Sequence, residues 1–251
     1  MKTVLITGCS SGFGLETARH FLAHGWNVVA TMRTPRKDLL PESERLRVVA
    51  LDVTDPQSIR HAVEAAGTID VLVNNAGFGL MGALEGTPLA TARDVFETNT
   101  FGPMAMIQAV LPQFRERKAG VIVNVSSSTT LKSLPLLSVY TASKAALNAF
   151  SESLALELAP FNVRVGLVLP GRSPGTPFSQ TAQRRMQALQ GAIPEAYADF
   201  AQGVFARMRQ DSALVTHADD VAQAVWRMVN DAASPLRVAA GADALALAEA
   251  L

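Results

Sequence analysis

Short apolar runs rich in β-branched residues recur along the chain, separated by longer stretches in which apolar positions fall every three or four residues. Thr3 to Thr7, Asn27 to Thr31, Arg47 to Leu51, Val71 to Asn74, Val121 to Val125 and Val163 to Leu169 are such runs, and each predicts a strand. Between the first two, Leu15, Ala18, Leu22 and Gly25 mark the stripe of a helix lying on a sheet. Strands that are apolar throughout, rather than alternating, belong to a sheet covered on both faces. Repeated strand-helix-strand units then predict an α/β fold, a doubly wound parallel sheet of about seven strands with right-handed crossovers. A helix from Asp219 to Asn230 and a strand near Leu236 to Ala239 complete the pattern. No repeat, linker or composition shift marks a boundary, so residues 1–251 are expected to form one domain.

The alternation fails between Arg172 and His217. There Met186, Leu189, Ile193, Tyr197, Phe200, Val204 and Met208 recur with helical spacing, interrupted at Gly191 and Pro194. Two short amphipathic helices are expected, inserted after the sixth strand at the sheet edge where open α/β sheets bind ligands. A substrate lid over residues 172–214 is favoured over a plain packing insertion.

Composition narrows the partners. The formal net charge is zero, which argues against nucleic acid or an anionic membrane, both recognised through excess Lys and Arg. No run reaches the roughly 18 apolar residues of a membrane span, and no secretory signal pattern precedes the first strand. Cys9 is the single cysteine, so no intramolecular disulfide forms, and a cytoplasmic location is expected. Cys9 reads as a small turn residue before it reads as a reactive thiol. His20 and His24 have the spacing of two zinc ligands, but Phe21 stands where a metalloprotease helix would carry Glu. A solvated helix face is preferred to a metal site.

The first strand leads into Thr7-Gly8-Cys9-Ser10-Ser11-Gly12-Phe13-Gly14. Glycines between a buried strand and an amphipathic helix let backbone approach a pyrophosphate and leave helix N–H groups to bind it. At the end of the second strand, an acidic residue would read the ribose hydroxyl of NAD. The chain carries Arg33 there, with Arg36 and Lys37 nearby, which favours NADP(H) over NAD(H), although such residues also make ordinary solvated loops.

Tyr140 and Lys144 lie four apart on a predicted helix, Tyr140 to Leu158, and so share a face. An ammonium beside a phenol favours the phenolate and is expected to draw its pKa down from about 10. Ser127 stands thirteen residues before Tyr140, at the end of the fifth strand, where a hydroxyl can bind a developing oxyanion. Ser126 and Ser128 compete for that part on position alone.

The glycine turn, Asn74-Asn75-Ala76-Gly77, Asn99, Ser127 and Tyr140-x-x-x-Lys144 occur in one order, which resembles the short-chain dehydrogenase/reductase family. The resemblance spans residues 7 to 171 and implies a Rossmann-like fold and a carbonyl–alcohol oxidoreductase. It implies Asn99, Ser127, Tyr140 and Lys144 as the catalytic set, with Tyr140 as acid/base and Asn99 holding a water that links Lys144 to solvent. It implies cofactor contacts from Gly8, Ser10, Ser11, Gly12, Phe13, Gly14, Arg33, Asp52, Val53, Asn75, Ala76, Gly77, Tyr140, Lys144, Pro170, Gly171 and Thr176. No metal is implied. Thr176 falls one place later than the family's threonine after Pro170-Gly171, and Ser173 competes for its role. Asn75 to Glu85 resembles the branch acting on steroids, retinoids and other lipophilic alcohols. A carrier-protein ketoacyl reductase and a non-catalytic NADP(H) sensor are the competing readings. Relatives imply a homodimer or homotetramer.

Overall fold

The computed structural model describes residues 1–189, 191–210 and 214–250, with side chains through 208 in the second stretch. Positions 190 and 211–213 of the expected lid therefore lie outside the described residues. Strands β1 (Thr3–Ile6), β2 (Asn27–Met32), β3 (Leu46–Ala50), β4 (Val71–Asn74), β5 (Gly120–Val125), β6 (Val163–Pro170) and β7 (Arg237–Ala240) form one sheet. All pairings are parallel, in the order β3-β2-β1-β4-β5-β6-β7. Chain order reverses between β1 and β4, and a cleft opens there beyond the carboxyl ends of the strands.

The runs are continuously apolar because successive strand residues point into two different cores. Val4, Ile6, Val28 and Ala30 pack with α1 (Gly12–Ala23) and α8 (Ala218–Asn230). Leu5, Val29, Leu72 and Ile122 pack with α2 (Pro56–Ala66), α4 (Gly102–Arg117) and α5 (Ser138–Leu158). Each Val, Leu or Ile side chain buried this way contributes about 1.5–3 kcal/mol, and the burial fixes the register. Local signals set several helix ends. Asp55 caps α2 by accepting from Gln57 N at 2.9 Å, with Pro56 in the first turn. The Asp220 carboxylate accepts from His217 N at 2.8 Å and starts α8.

His20 and His24 lie on a partly solvated helix face, His24 exposed and His20 half-buried. Their rings stack at 4.4 Å, His24 also lies 4.4 Å from Trp226, and the pair helps join α1 to α8. Cys9 is fully buried, its thiol donates to Ile6 O at 3.3 Å, and burial pushes its pKa up to about 12. It is a packed turn residue.

After β6 come α6 (Pro177–Ala188) and α7 (Ala198–Gln210), at the break that Gly191 and Pro194 predict. Their apolar stripe divides. Ala201 and Val204 join Ala83 and Leu136 in a third small core, whereas Phe178, Met186 and Met208 line the cleft. Phe200 is half exposed and lies outside it. The periodicity does not reveal helix α9 (Ala242–Glu249). Its Leu245 and Leu247 alternate, so no helical stripe is visible, and alanine propensity carries the element instead.

Candidate active site

The cleft is a cavity of about 1770 Å³, above the 300–1,000 Å³ of ordinary ligand pockets and roomy enough for a dinucleotide beside a second molecule. Its glycine-turn end is built from backbone. Gly8 and Gly12 have φ of 75° and 57°, which favour glycine. A Cβ on Gly14 would collide with Gly8 O and the Asn75 side chain. The turn is tied from behind. Asn75 Nδ2 donates to Thr7 O at 2.9 Å and Gly8 O at 3.2 Å. The main-chain N–H groups of Asn75 and Ala76 donate to Thr7 Oγ1 at 3.0 and 2.9 Å. The Asn75 side chain thus holds the turn in shape, and Thr7, absent from the expected contacts, is the hub. Ser11 starts α1 with extended backbone and no side-chain cap, which leaves first-turn N–H groups to an anion.

Among the three basic residues after β2, only Arg33 lines the cavity. Arg36 is ion-paired with Asp38 at 2.9 Å. Asp52 Oδ1 accepts from Thr54 N at 2.9 Å and Thr54 Oγ1 at 2.7 Å. These bonds, with Arg33 nearby, hold its carboxyl below the usual carboxylate range. Val53 is buried against Gly102 at the head of α4.

Elsewhere in the cavity wall, α5 carries Tyr140 and Lys144 on its buried face. A single π turn, Glu97–Phe101, interrupts the run from α3 (Leu89–Phe96) to α4, a device often found at functional sites. It grips α5: Asn99 Nδ2 donates to Ser143 Oγ at 3.2 Å, and Thr100 Oγ1 donates to Ser143 O at 2.9 Å. The Asn99 amide also clamps the main chain of Phe78 on both sides, at 3.0 Å each. Both Nδ2 hydrogens and one acceptor position of Oδ1 are therefore engaged with protein. The serines also divide. The Ser126 hydroxyl donates to Asn148 Oδ1 at 2.5 Å, whereas Ser127 Oγ accepts from Thr129 N at 3.2 Å and Thr129 Oγ1 at 3.1 Å and lies near the phenol of Tyr140.

The expected lowering of the Tyr140 pKa does not occur in this arrangement. Burial outweighs the Ser127 hydrogen bond and pushes the phenol up to about 12. Lys144 Nζ donates to Val125 O at 2.9 Å, and burial brings its pKa down to about 8. The ammonium is engaged with the end of β5.

The loop after β6 is tied to the far end of the chain. Gly171 N donates to Thr216 Oγ1 at 2.9 Å, Thr216 Oγ1 donates to Asp243 Oδ1 at 2.7 Å, and Arg172 N donates to Asp243 Oδ2 at 2.6 Å. A Cβ at Gly171 would overlap that carboxylate, which accounts for the glycine. Nothing in the sequence signals a contact seventy residues away. Thr176 is buried, bonded to Ser173 O at 3.0 Å and packed on Gly12, so it abuts the glycine turn. Ser173 Oγ lines the cavity, buried and without a hydrogen-bond partner among the described residues. An orphaned hydroxyl in a cavity wall fits a polar ligand group.

A doubly wound parallel sheet, a glycine turn at its switch point and a Ser-Tyr-Lys cluster across the same cleft define a dinucleotide-fold oxidoreductase. A family model described as short chain dehydrogenase matches residues 2–187. Retinol dehydrogenase 8 of Homo sapiens is 40% identical over 257 residues, covering 94% of this chain and 80% of that protein. Three further curated relatives, 43–45% identical, are matched over 58–64% of their own length. Among solved structures, a short chain dehydrogenase from Burkholderia cenocepacia J2315 in complex with NADP superposes with TM-score 0.78 at 27% identity, covering 100% of this chain and 94% of that one. The 3-ketoacyl-(acyl-carrier-protein) reductase from Brucella melitensis complexed with NADH superposes with TM-score 0.77 at 27% identity, covering 95% and 96%. The chain belongs to the short chain dehydrogenase family.

Proposed function

We propose that this protein interconverts a lipophilic ketone or aldehyde and the corresponding alcohol with NADP(H). The observation that carries this reading is the convergence of Ser127, Tyr140 and Lys144 on the cavity that also contains the glycine turn. The cavity fits the cofactor through its close-approach glycines, its free helix N–H groups and the orphaned Ser173 hydroxyl. On this reading Gly8 to Gly14 cradle the pyrophosphate and Arg33 takes the 2′-phosphate. Asp52 and Val53 border the adenine. Asn75, Ala76, Gly77 and Lys144 border the nicotinamide ribose, with Pro170, Gly171 and Ser173 at the carboxamide. Solved neighbours carry NADP, NADP+ or NADPH in five cases and NADH in one, and within this chain the preference for NADP(H) rests on Arg33.

When bound, the cofactor supplies or accepts the hydride, and the chain moves the proton. A phenol whose pKa is raised to about 12 is protonated at neutral pH. It is a fit donor to a nascent alkoxide, a stronger base than the phenolate left behind. The Ser127 hydroxyl can donate to the same oxygen as charge develops. Lys144, still cationic below about pH 8, compensates the phenolate formed. Human retinol dehydrogenase 8 is by name a dehydrogenase of a lipophilic alcohol, and the apolar wall formed by Leu137, Phe178 and Met186 supports a substrate of that kind here. Loss of NADPH absorbance with a panel of ketones graded in size tests the reading. No turnover of any ketone or aldehyde, despite NADPH binding, would leave a nucleotide-binding sensor instead.

A further inference from the structure

The pocket face of α6 presents Phe178, Ala182 and Arg185, spaced i, i+4 and i+7. The Arg185 guanidinium lies over the Phe78 ring with Cζ 3.8 Å from the centroid. Stacking uses the face of a guanidinium and leaves its N–H donors in the plane, free for a fork-shaped acceptor. The platform is rigid, because Asn99 clamps the main chain of Phe78 on both sides.

Elsewhere the partly buried arginines have acceptors. Arg47 donates to Ala66 O, Arg164 to Val229 O and Arg117 to Asp70. Arg185 has a stacking partner but no side-chain acceptor or carboxylate at ion-pair distance among the described residues. Asp94 and Glu97 border the same cavity without reaching it. A half-buried cation in a cavity wall, preorganised and without an acceptor, is a site for an anion.

Seven helical residues separate Phe178 from Arg185, about 10 Å along the axis. The Phe178 ring is 6.0 Å from that of Tyr140. Resting on the carbonyl reading above, we propose that the preferred substrate is an anionic amphiphile. Its carbonyl sits at Tyr140, its apolar body runs along α6, and its carboxylate or phosphate is held by Arg185. Arg185 is then the residue that selects this substrate class.

The test compares an oxodecanoate, its methyl ester and the matching oxoalkyl phosphate as substrates, with NADPH saturating. Wild-type protein should favour at least one of the two anions over the ester. Arg185→Gln should lower kcat/KM for that anion by about 10- to 150-fold, the worth of a charge-assisted hydrogen bond, and leave the ester nearly unchanged. Arg185→Lys should recover part of the loss, since it restores charge without the planar fork. The arm that depends on Arg185 identifies the anion. Calorimetric titration of decanoate and decyl phosphate into the NADPH complex separates this inference from the activity it rests on. Arg185-dependent binding of either without ketone turnover keeps the site and overturns the carbonyl reading. Ketone turnover with equal effects of Arg185→Gln on anions and ester overturns the anion site alone. Absence of both turnover and Arg185-dependent binding overturns both.

Discussion

The two ends of the cleft are built on different principles. The glycine-turn end is almost all backbone: Thr7 and Asn75 tie down a loop whose shape requires Gly8 and Gly14, with little room for adjustment. The α6–α7 end is all side chains. Phe178 and Met186 face the cavity, Ala201 and Val204 belong to a small separate core, and Ser173 Oγ has no hydrogen-bond partner among the described residues. A backbone-built end can bind one invariant group, whereas a side-chain-built end can be retuned for different ligands without disturbing the first. Tyr140, Ser127 and Lys144 stand in the wall between the two ends.

The sharpest way to separate the halves is to change that wall alone. Tyr140→Phe removes one oxygen and no packing. It should lower kcat by about 10²–10⁴-fold, the range of general acid catalysis, while NADPH affinity and thermal stability stay close to wild type. Steady-state kinetics and NADPH fluorescence titration check this, and near-normal turnover would remove Tyr140 from the proton path.

Arg33→Ala tests the glycine-turn end at the side chain proposed to take the 2′-phosphate. NADPH affinity should fall by about 10- to 150-fold, the worth of a charge-assisted hydrogen bond, and NADH affinity should change little. Equal losses for both cofactors would show that Arg33 does not read the 2′-phosphate.

A third test lies in pH. Because Lys144 has a pKa near 8, kcat/KM for reduction should fall as pH rises through that value, to about a tenth of its low-pH plateau one unit above it. Lys144→Arg, charged throughout, should be slower but should lose the inflection. Stability moves the other way. A lysine whose folded pKa is depressed destabilises the native state below about pH 8, and that penalty fades as pH rises toward the unfolded value of about 10.5. Denaturant midpoints of the free wild-type protein and of Lys144→Met across this window measure it.

The same contrast governs how much was legible in the sequence. The strands, the glycine turn and the order of Ser127, Tyr140 and Lys144 follow from local rules of apolar runs, close-approach glycines and helical spacing, and the structure places them within a residue or two of expectation. What sequence did not disclose depends on partners far along the chain. Asp243 meets Gly171 only because α9 folds back over the loop after β6. The Arg185–Phe78 stack joins residues more than a hundred positions apart. The Tyr140 pKa goes the opposite way because burial, a property of the whole fold, outweighs the Ser127 hydrogen bond, while the ammonium at i+4 is engaged with Val125 O. Periodicity correctly signalled helices between Arg172 and His217, but could not divide one stripe between a cavity wall and a separate core.

The smallest effects are expected from that divided stripe, and they decide whether residues 172–214 act as a lid. Met186 and Phe178 face the cavity, so alanine at either should shift relative kcat/KM among ketones of different size by about 3- to 10-fold, the scale of lost apolar contact in a pocket. Val204 is buried in the third core, so Val204→Ala should lower stability by about 1–2 kcal/mol and leave that preference alone. Phe200 is half exposed and outside the cavity, and Phe200→Ala should do neither. A lid also requires that the segment open on its own, because lids are drawn from the less stable parts of a fold. Amides in α6 and α7 should then exchange faster than those of β4 and β5 in the free protein, and slow when NADPH and a ketone are both present. Slow exchange already in the free protein, with size preference unchanged in Met186→Ala and Phe178→Ala, would make the two helices a fixed cover. The substrate end would then be as rigid as the glycine turn, and the contrast between the two ends would be one of composition only.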